Sequence, residues 1–177
     1  MGQSNHQNNL LKHPKTKSKP RGFQDGLAIA VATGAGAGFM PKAPGTAGSV
    51  EGVLVYLLME RLDLGAYFPH AIIFSLIIGT WSAYRVELFW GGDSQRIVVD
   101  EIAGQMITFG LAAGRYPLSV LYVFIGFVLF RLFDITKPFP LRRLENLRWG
   151  FGVMADDVGA GIYALVGLTL IRHFFGA

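Results

Sequence analysis

The chain contains no cysteine, which excludes disulfides, zinc–thiolate sites and cysteine-nucleophile chemistry. Charge is also scarce. Only 16% of its 177 residues are Asp, Glu, Lys or Arg, against roughly 25% in soluble proteins. Hydrophobic residues make up 51% and the mean hydropathy is positive, a balance that points to a protein embedded in or seated on a membrane. Several signatures are missing as well. Gly34 and Gly36 begin a dinucleotide fingerprint, but Phe39 stands where the third glycine must be, and Lys42 does not follow a glycine as a P-loop lysine does. Gly48 and Ser49 are followed by Val50 and Glu51, so there is no nucleophile elbow. Asp134 lacks the second aspartate two residues on that an aspartyl-phosphatase needs, and His70 and His173 have no metal-ligand partner at helical spacing. A covalent intermediate is therefore unsupported.

What is present reads as one domain. Residues 1–22 are basic and polar, without the apolar core of a signal peptide. His6 breaks the myristoylation pattern. This segment reads as a disordered tail, either simply solvated or touching anionic surfaces, and no nucleic-acid partner is expected. The remainder, 23–177, reads as helical. A short small-residue helix is expected within 26–40, then a loop over 41–49, marked by Pro41, Pro44, Gly45 and Gly48. Further helices are expected at 49–60, 66–84, 100–113, 117–133 and about 157–172, with a polar connection over 85–96. A bilayer crossing needs roughly 20 apolar residues. Only 66–84 comes close, with 117–133 and 158–172 marginal. The expected fold is all-α: a compact bundle of about six short helices, partly membrane-embedded.

Chain direction then gathers the acids. The turn near Gly114 is too short for anything but an antiparallel return. Helix 117–133 therefore ends where 100–113 began, and it ends at Asp134. Asp100, Glu101, Asp134, Asp156 and Asp157 should share one end of the bundle, with Lys42, Gly45 and Thr46 close by. That face carries Lys42, Arg85, Arg96, Arg131, Lys137, Arg142, Arg143 and Arg148, while the opposite face carries Arg61, Arg115 and Arg172. The bias makes the acidic face cytoplasmic.

Clustered carboxylates repel unless protons or a cation intervene. Mg²⁺ suits them, since it takes oxygen ligands, often with substrate phosphate. Lys42, Arg131 and Lys137 can hold phosphate oxygens. Plainer readings stand beside these. Asp100 and Asp156 serve equally as helix caps or first-turn acids. Asp134 can pair with Arg131 or Lys137, Asp93 reads as a turn residue, and the 41–49 loop can bind phosphate or merely join helices. With covalent routes unsupported, metal-assisted hydrolysis remains. Arg131 and Lys137 are assigned to phosphate, and Arg142, Arg143 and Arg148 to anionic headgroups.

Four blocks in order, PKAPGT at 41–46, DSQRIVVDEIAGQ at 93–105, FRLFDITKPFP at 130–140 and GFGVMADDVGAG at 150–161, resemble the phosphatidylglycerophosphatase A family. The resemblance implies a Mg²⁺-dependent lipid phosphatase of the bacterial inner membrane, converting phosphatidylglycerophosphate to phosphatidylglycerol and phosphate in phospholipid biosynthesis. It also implies a bundle of about six helices. By matching position it places Asp100 and Glu101, Asp134, and Asp156 and Asp157 in catalytic and metal-binding roles. Lys42, Gly45, Thr46, Arg131 and Lys137 fall to the substrate phosphate. Ala47 and Trp149 depart from the family pattern. Two alternatives compete. A phosphatidyltransferase would show a D-G-x-x-A-R signature, which is absent. A divalent-ion channel or transporter would bury acids mid-crossing, whereas these are expected at helix ends.

Overall fold

A computed structural model of the chain describes residues 19–91, 94–110, 118–144 and 150–175. The expected tail (up to residue 18), Asp93, residues 111–117 with the turn expected near Gly114, Arg115 and Pro117, and Arg148 and Trp149 lie outside the described residues. The helices are α1 (Phe23–Ala32), α2 (Pro44–Arg61), α3 (Phe68–Trp90), α4 (Val99–Phe109), α5 (Val120–Thr136), the single turn α6 (Leu141–Leu144) and α7 (Phe151–Phe175). Short 3₁₀ turns occupy Gly34–Phe39 and Gly65–Tyr67. No strand occurs among the described residues. The all-α class and the bundle of about six helices are as expected.

Several boundaries differ, each for a local reason. The segment 26–40 is not one helix. It breaks after Ala32, where Gly34, Ala35 and Gly36 all take positive φ. The loop expected over 41–49 is shorter, because α2 already begins at Pro44. Proline's fixed φ suits the first helical turn, and Ala43 turns the chain into it in a left-handed conformation. The polar connection expected from residue 85 is instead helical to Trp90, because its charges find partners. Arg85 Nη2 meets Asp25 Oδ1 at 2.7 Å, and Glu87 Oε2 accepts the Gly150 amide at 3.3 Å. The last helix starts at Phe151 rather than near 157. Asp156 and Asp157 therefore lie about one and a half turns inside α7, and Asp156 is not a cap.

Two helical stretches, Gly65–Trp90 and Phe151–Phe175, are long and apolar enough to cross a membrane, one more than expected from length alone. Much of their outward surface is apolar. Phe74 and Ile77 on α3, Leu121, Phe124 and Ile135 on α5, and Val166 and Phe174 on α7 are all exposed. Continuous exposed apolar faces of this kind mark contact with another apolar phase. Together with the two long helices they point to membrane association.

The short helix α4 is the axis. It packs against α2, α3, α5 and α7, and most of its residues are buried, from Val99 to Phe109. Its closest approach is to α7. A Cβ at Gly104 would lie 2.6 Å from the Asp157 carbonyl oxygen and 2.6 Å from the Phe130 ring, and one at Gly161 would collide with the Gly104 carbonyl. With no side chain at either position, the two backbones touch. Where lipid replaces water outside, such small-residue contact is what holds helices together. A second cluster anchors the far end, where Tyr56 packs on Phe68 and Phe109 and its hydroxyl accepts the Leu118 amide at 2.9 Å.

Gly104→Val should therefore cost about 1–3 kcal/mol through overpacking, read as earlier thermal unfolding in detergent. Phe124→Ala, on an exposed face, should shift stability by no more than about 0.5 kcal/mol.

Candidate active site

The α4–α7 contact decides where the acids fall. Asp100 and Glu101 occupy the first turn of α4, and Asp157 lies on α7 where its own carbonyl meets Gly104. Oxygens of the Asp100, Glu101 and Asp157 carboxylates lie within 4.8 Å of one another. Asp100 and Asp157 are buried and Glu101 is half-buried. Gly45, at the start of α2, leaves room for this trio, since a Cβ there would run into the Glu101 carboxylate.

Two cations close the opposite side, both from the end of α5. Arg131 Nη1 pairs with Asp134 Oδ2 at 2.6 Å and reaches Ser49 Oγ at 3.3 Å. Lys137 ends α5 in a left-handed conformation, which directs its ammonium across to Asp156 Oδ2 on α7, 2.6 Å away. Asp134 in turn lies close enough to Glu101 and Asp157 to influence both electrostatically. These groups line a polar pocket of about 530 Å³, whose wall is completed by Ala43, Pro44, Gly45, Ser94, Gln95, Ile97, Gly152 and Val153.

The electrostatics are unbalanced in one direction. Burial pushes Asp100 well above the usual carboxylate range, and the neighbouring Glu101 and Asp157 add to it. Burial also raises Glu101, opposed by its hydrogen bond with Asp100 and by Arg131, and reinforced by Asp134. Glu101 Oε2 is buried with no hydrogen-bond partner, an arrangement that costs free energy unless something fills it.

Eight of the residues singled out by sequence are thus brought to one pocket: the five acids, Gly45, Arg131 and Lys137. Lys42 is exposed and Thr46 half-buried, and neither lines the pocket. Arg142 and Arg143 lie beside it on α6, with the Arg143 guanidinium 4.8 Å from the centre of the Phe139 ring. Arg96 is held between Phe39 and Trp90. Sequence reasoning missed Ser49, Ser94 and Gln95. Ser49 had a readable signal, a hydroxyl one helical turn after Gly45 in an otherwise apolar run, where it now hydrogen-bonds the Gly45 carbonyl at 2.9 Å. Gln105, one turn below Glu101, is fully buried and nothing at the level of pattern marks it.

A family model described as phosphatidylglycerophosphatase A matches residues 30–172. The chain belongs to the phosphatidylglycerophosphatase A family. Among curated relatives, a Haemophilus influenzae phosphatidylglycerophosphatase A is 35% identical over 146 residues, covering 81% of this chain and 88% of the relative. The Escherichia coli phosphatidylglycerophosphatase A is 33% identical over 146 residues, covering 81% and 82%. A Bacteroides thetaiotaomicron protein, provisionally named a phosphatidylinositol-3-phosphatase, is 38% identical over 154 residues, covering 85% and 96%. No solved structure matches significantly. Family membership makes the chain an enzyme of the phosphomonoester-hydrolysing class. All four sequence blocks that carry the resemblance fall within the matched span.

The Lys137–Asp156 contact is mostly withdrawn from water, so removing Lys137 takes a compensating charge away from a buried carboxylate. Lys137→Met is expected to destabilise the protein by about 1–3 kcal/mol, and Lys137→Met/Asp156→Asn to recover most of that. Thermal unfolding of the two variants in the same detergent measures the coupling.

Proposed function

We propose that the chain is a Mg²⁺-dependent phosphatase that hydrolyses the terminal phosphomonoester of phosphatidylglycerophosphate, giving phosphatidylglycerol and inorganic phosphate for phospholipid synthesis. The observation that carries this is the carboxylate trio Asp100, Glu101 and Asp157 facing Arg131 and Lys137 across one polar pocket. The donor set fits Mg²⁺. It offers hard oxygens only, one of them a buried oxygen without a partner. Burial pushes Asp100 and Glu101 toward their neutral forms, aided at Asp100 by Glu101 and Asp157 and at Glu101 by Asp134, and a divalent cation would reverse that. When bound, Mg²⁺ would neutralise charge on the phosphoryl oxygens.

The chain's own groups divide the remaining work. Arg131 and Lys137 are placed to hold the phosphate's other oxygens, each kept in position by an acid of its own, Asp134 and Asp156. Water attacks phosphorus, the bond to the lipid's alcohol oxygen breaks, and the proton that the water loses passes through a carboxylate to that oxygen. One carboxylate must accept the proton lost by the water. With Asp100, Glu101 and Asp157 committed to the metal, Asp134 and Asp156 remain for that role. Lys42 and Thr46, which do not line the pocket, are assigned to the arriving headgroup. The apolar outer faces support placement in the bacterial inner membrane, and the basic residues around the pocket support a cytoplasmic opening.

A second substrate reading rests on the Bacteroides relative, whose name assigns phosphatidylinositol 3-phosphate. Both lipids present a phosphomonoester on a glycerophospholipid headgroup, and the polar pocket is open to either. The competing channel reading is disfavoured by placement: the acids gather in one pocket rather than along a path.

Phosphate release from phosphatidylglycerophosphate and from phosphatidylinositol 3-phosphate, each with Mg²⁺ or with EDTA, tests both. Phosphatidylglycerophosphate should be the better substrate, with EDTA abolishing turnover. Asp157→Asn should lower kcat at least about 100-fold, the order of loss seen when a key electrostatic group is removed. Faster hydrolysis of the inositol lipid would favour the second reading, and Mg²⁺-independent turnover would remove the metal from the proposal.

A further inference from the structure

A second cavity, of about 780 Å³, lies on the outer surface between α3 and the start of α7, lined by Leu76, Ile77, Thr80, Trp81, Tyr84 and Phe151. Its chemistry is opposite to that of the polar pocket. The Thr80 hydroxyl already donates to the Leu76 carbonyl at 2.7 Å, and most of the remaining lining is hydrocarbon or ring. A polar ligand would find few partners there, whereas an apolar chain would lose nothing by entering.

The two cavities are neighbours. Phe151 lines the apolar groove, and the next two residues of the same helical turn, Gly152 and Val153, line the polar pocket. The junction is fixed by backbone contact. A Cβ at Gly150 would lie 2.8 Å from the Thr80 carbonyl oxygen and 2.8 Å from the Tyr84 nitrogen, and Glu87 accepts the Gly150 amide. From Tyr84, level with that junction, to Leu76 the groove follows eight residues of α3, or ~12 Å at 1.5 Å per residue. That is close to one leaflet, half of a ~30 Å hydrocarbon core. Its volume is within the roughly 300–1,000 Å³ of ordinary ligand sites.

We propose that this groove receives an acyl chain of the lipid whose phosphate enters the polar pocket. The proposal rests on the phosphatase reading for the identity of that lipid, and on the geometry for the groove. The headgroup reaches the acids past Gly152 and Val153, while one chain turns over Phe151 and descends between Trp81 and Ile77 away from the pocket. Seating the chain beside the site orients the phosphomonoester toward Arg131 and Lys137, which is binding energy used for positioning.

The test is chain selectivity. Ile77 is largely exposed, so Ile77→Trp fills the groove without disturbing the core. Phe124→Trp adds bulk to an exposed face of α5 outside it. The ratio of kcat/KM for dipalmitoyl to dihexanoyl phosphatidylglycerophosphate should fall about tenfold in Ile77→Trp and stay at the wild-type value in Phe124→Trp. An unchanged ratio in Ile77→Trp, or an equal fall in both variants, overturns the proposal. A readout independent of turnover uses a phosphatidylglycerophosphate carrying a diazirine on one acyl chain, photolysed in detergent with the wild-type protein. Labels should concentrate on residues 76–84 and Phe151, and labels spread evenly over the exposed faces of α5 and α7 overturn the groove. If wild-type protein releases no phosphate from either chain length, the phosphatase reading falls. The labelling pattern then decides the groove by itself.

Discussion

Everything near the pocket depends on bringing like charges together out of water. Three carboxylates within 4.8 Å of one another are held there by a contact that has nothing to do with charge, the backbone-to-backbone approach of α4 and α7 at Gly104 and Gly161. Because the helices touch at that level, Asp100 and Glu101 are carried against Asp157. Inside the trio the repulsion is only partly relieved, by the hydrogen bond between Asp100 and Glu101. It is balanced around it, where Arg131 answers Asp134 and Lys137 answers Asp156, and the trio is left with a deficit of positive charge that a divalent cation would supply. A pocket built this way is poised for a ligand that is itself an anion, provided a metal accompanies it.

The same packing explains how a chain with so few charges organises a polar site. Helix α4 is too short to cross a bilayer and is enclosed by its neighbours, so its polar first turn is sheltered rather than solvated. The longer helices α3 and α7 present apolar surface outward and small residues inward. Glu87 ties the start of α7 to the end of α3, and that tie sets polar pocket and apolar groove side by side at one level of the molecule. An amphiphile is the ligand such a pairing suits, with its charged end and its hydrocarbon end recognised by adjoining walls.

Much of this was legible in the sequence because the acids stand at the edges of apolar runs, where their cost demands a reason. Short connections then fixed the direction of each helix and hence the shared face. Helix extents were less legible. Arg85 and Glu87 read as a connection, yet distant partners, Asp25 and Gly150, let them stay helical. Asp156 and Asp157 read as a helix start for the same cause: charge inside a helix looks like an end until its partner is known. Pro44 and Gly45 read as loop, although proline at a helix start and glycine opposite Glu101 serve the first turn of α2. Gln105 was missed because its place depends on what packs across from it, Gly52 of α2, which no spacing within one helix reveals.

The central claim is that Asp100, Glu101 and Asp157 form one divalent-cation site. Mn²⁺ is a paramagnetic stand-in for Mg²⁺, and titrating it into the purified protein by electron paramagnetic resonance, with Mg²⁺ as competitor, tests this most directly. The account predicts saturable binding displaced by Mg²⁺, weakened at least about tenfold by Asp100→Asn and by Asp157→Asn while both variants remain folded. Binding that is unaltered in both variants, or no binding by folded wild-type protein, would contradict it.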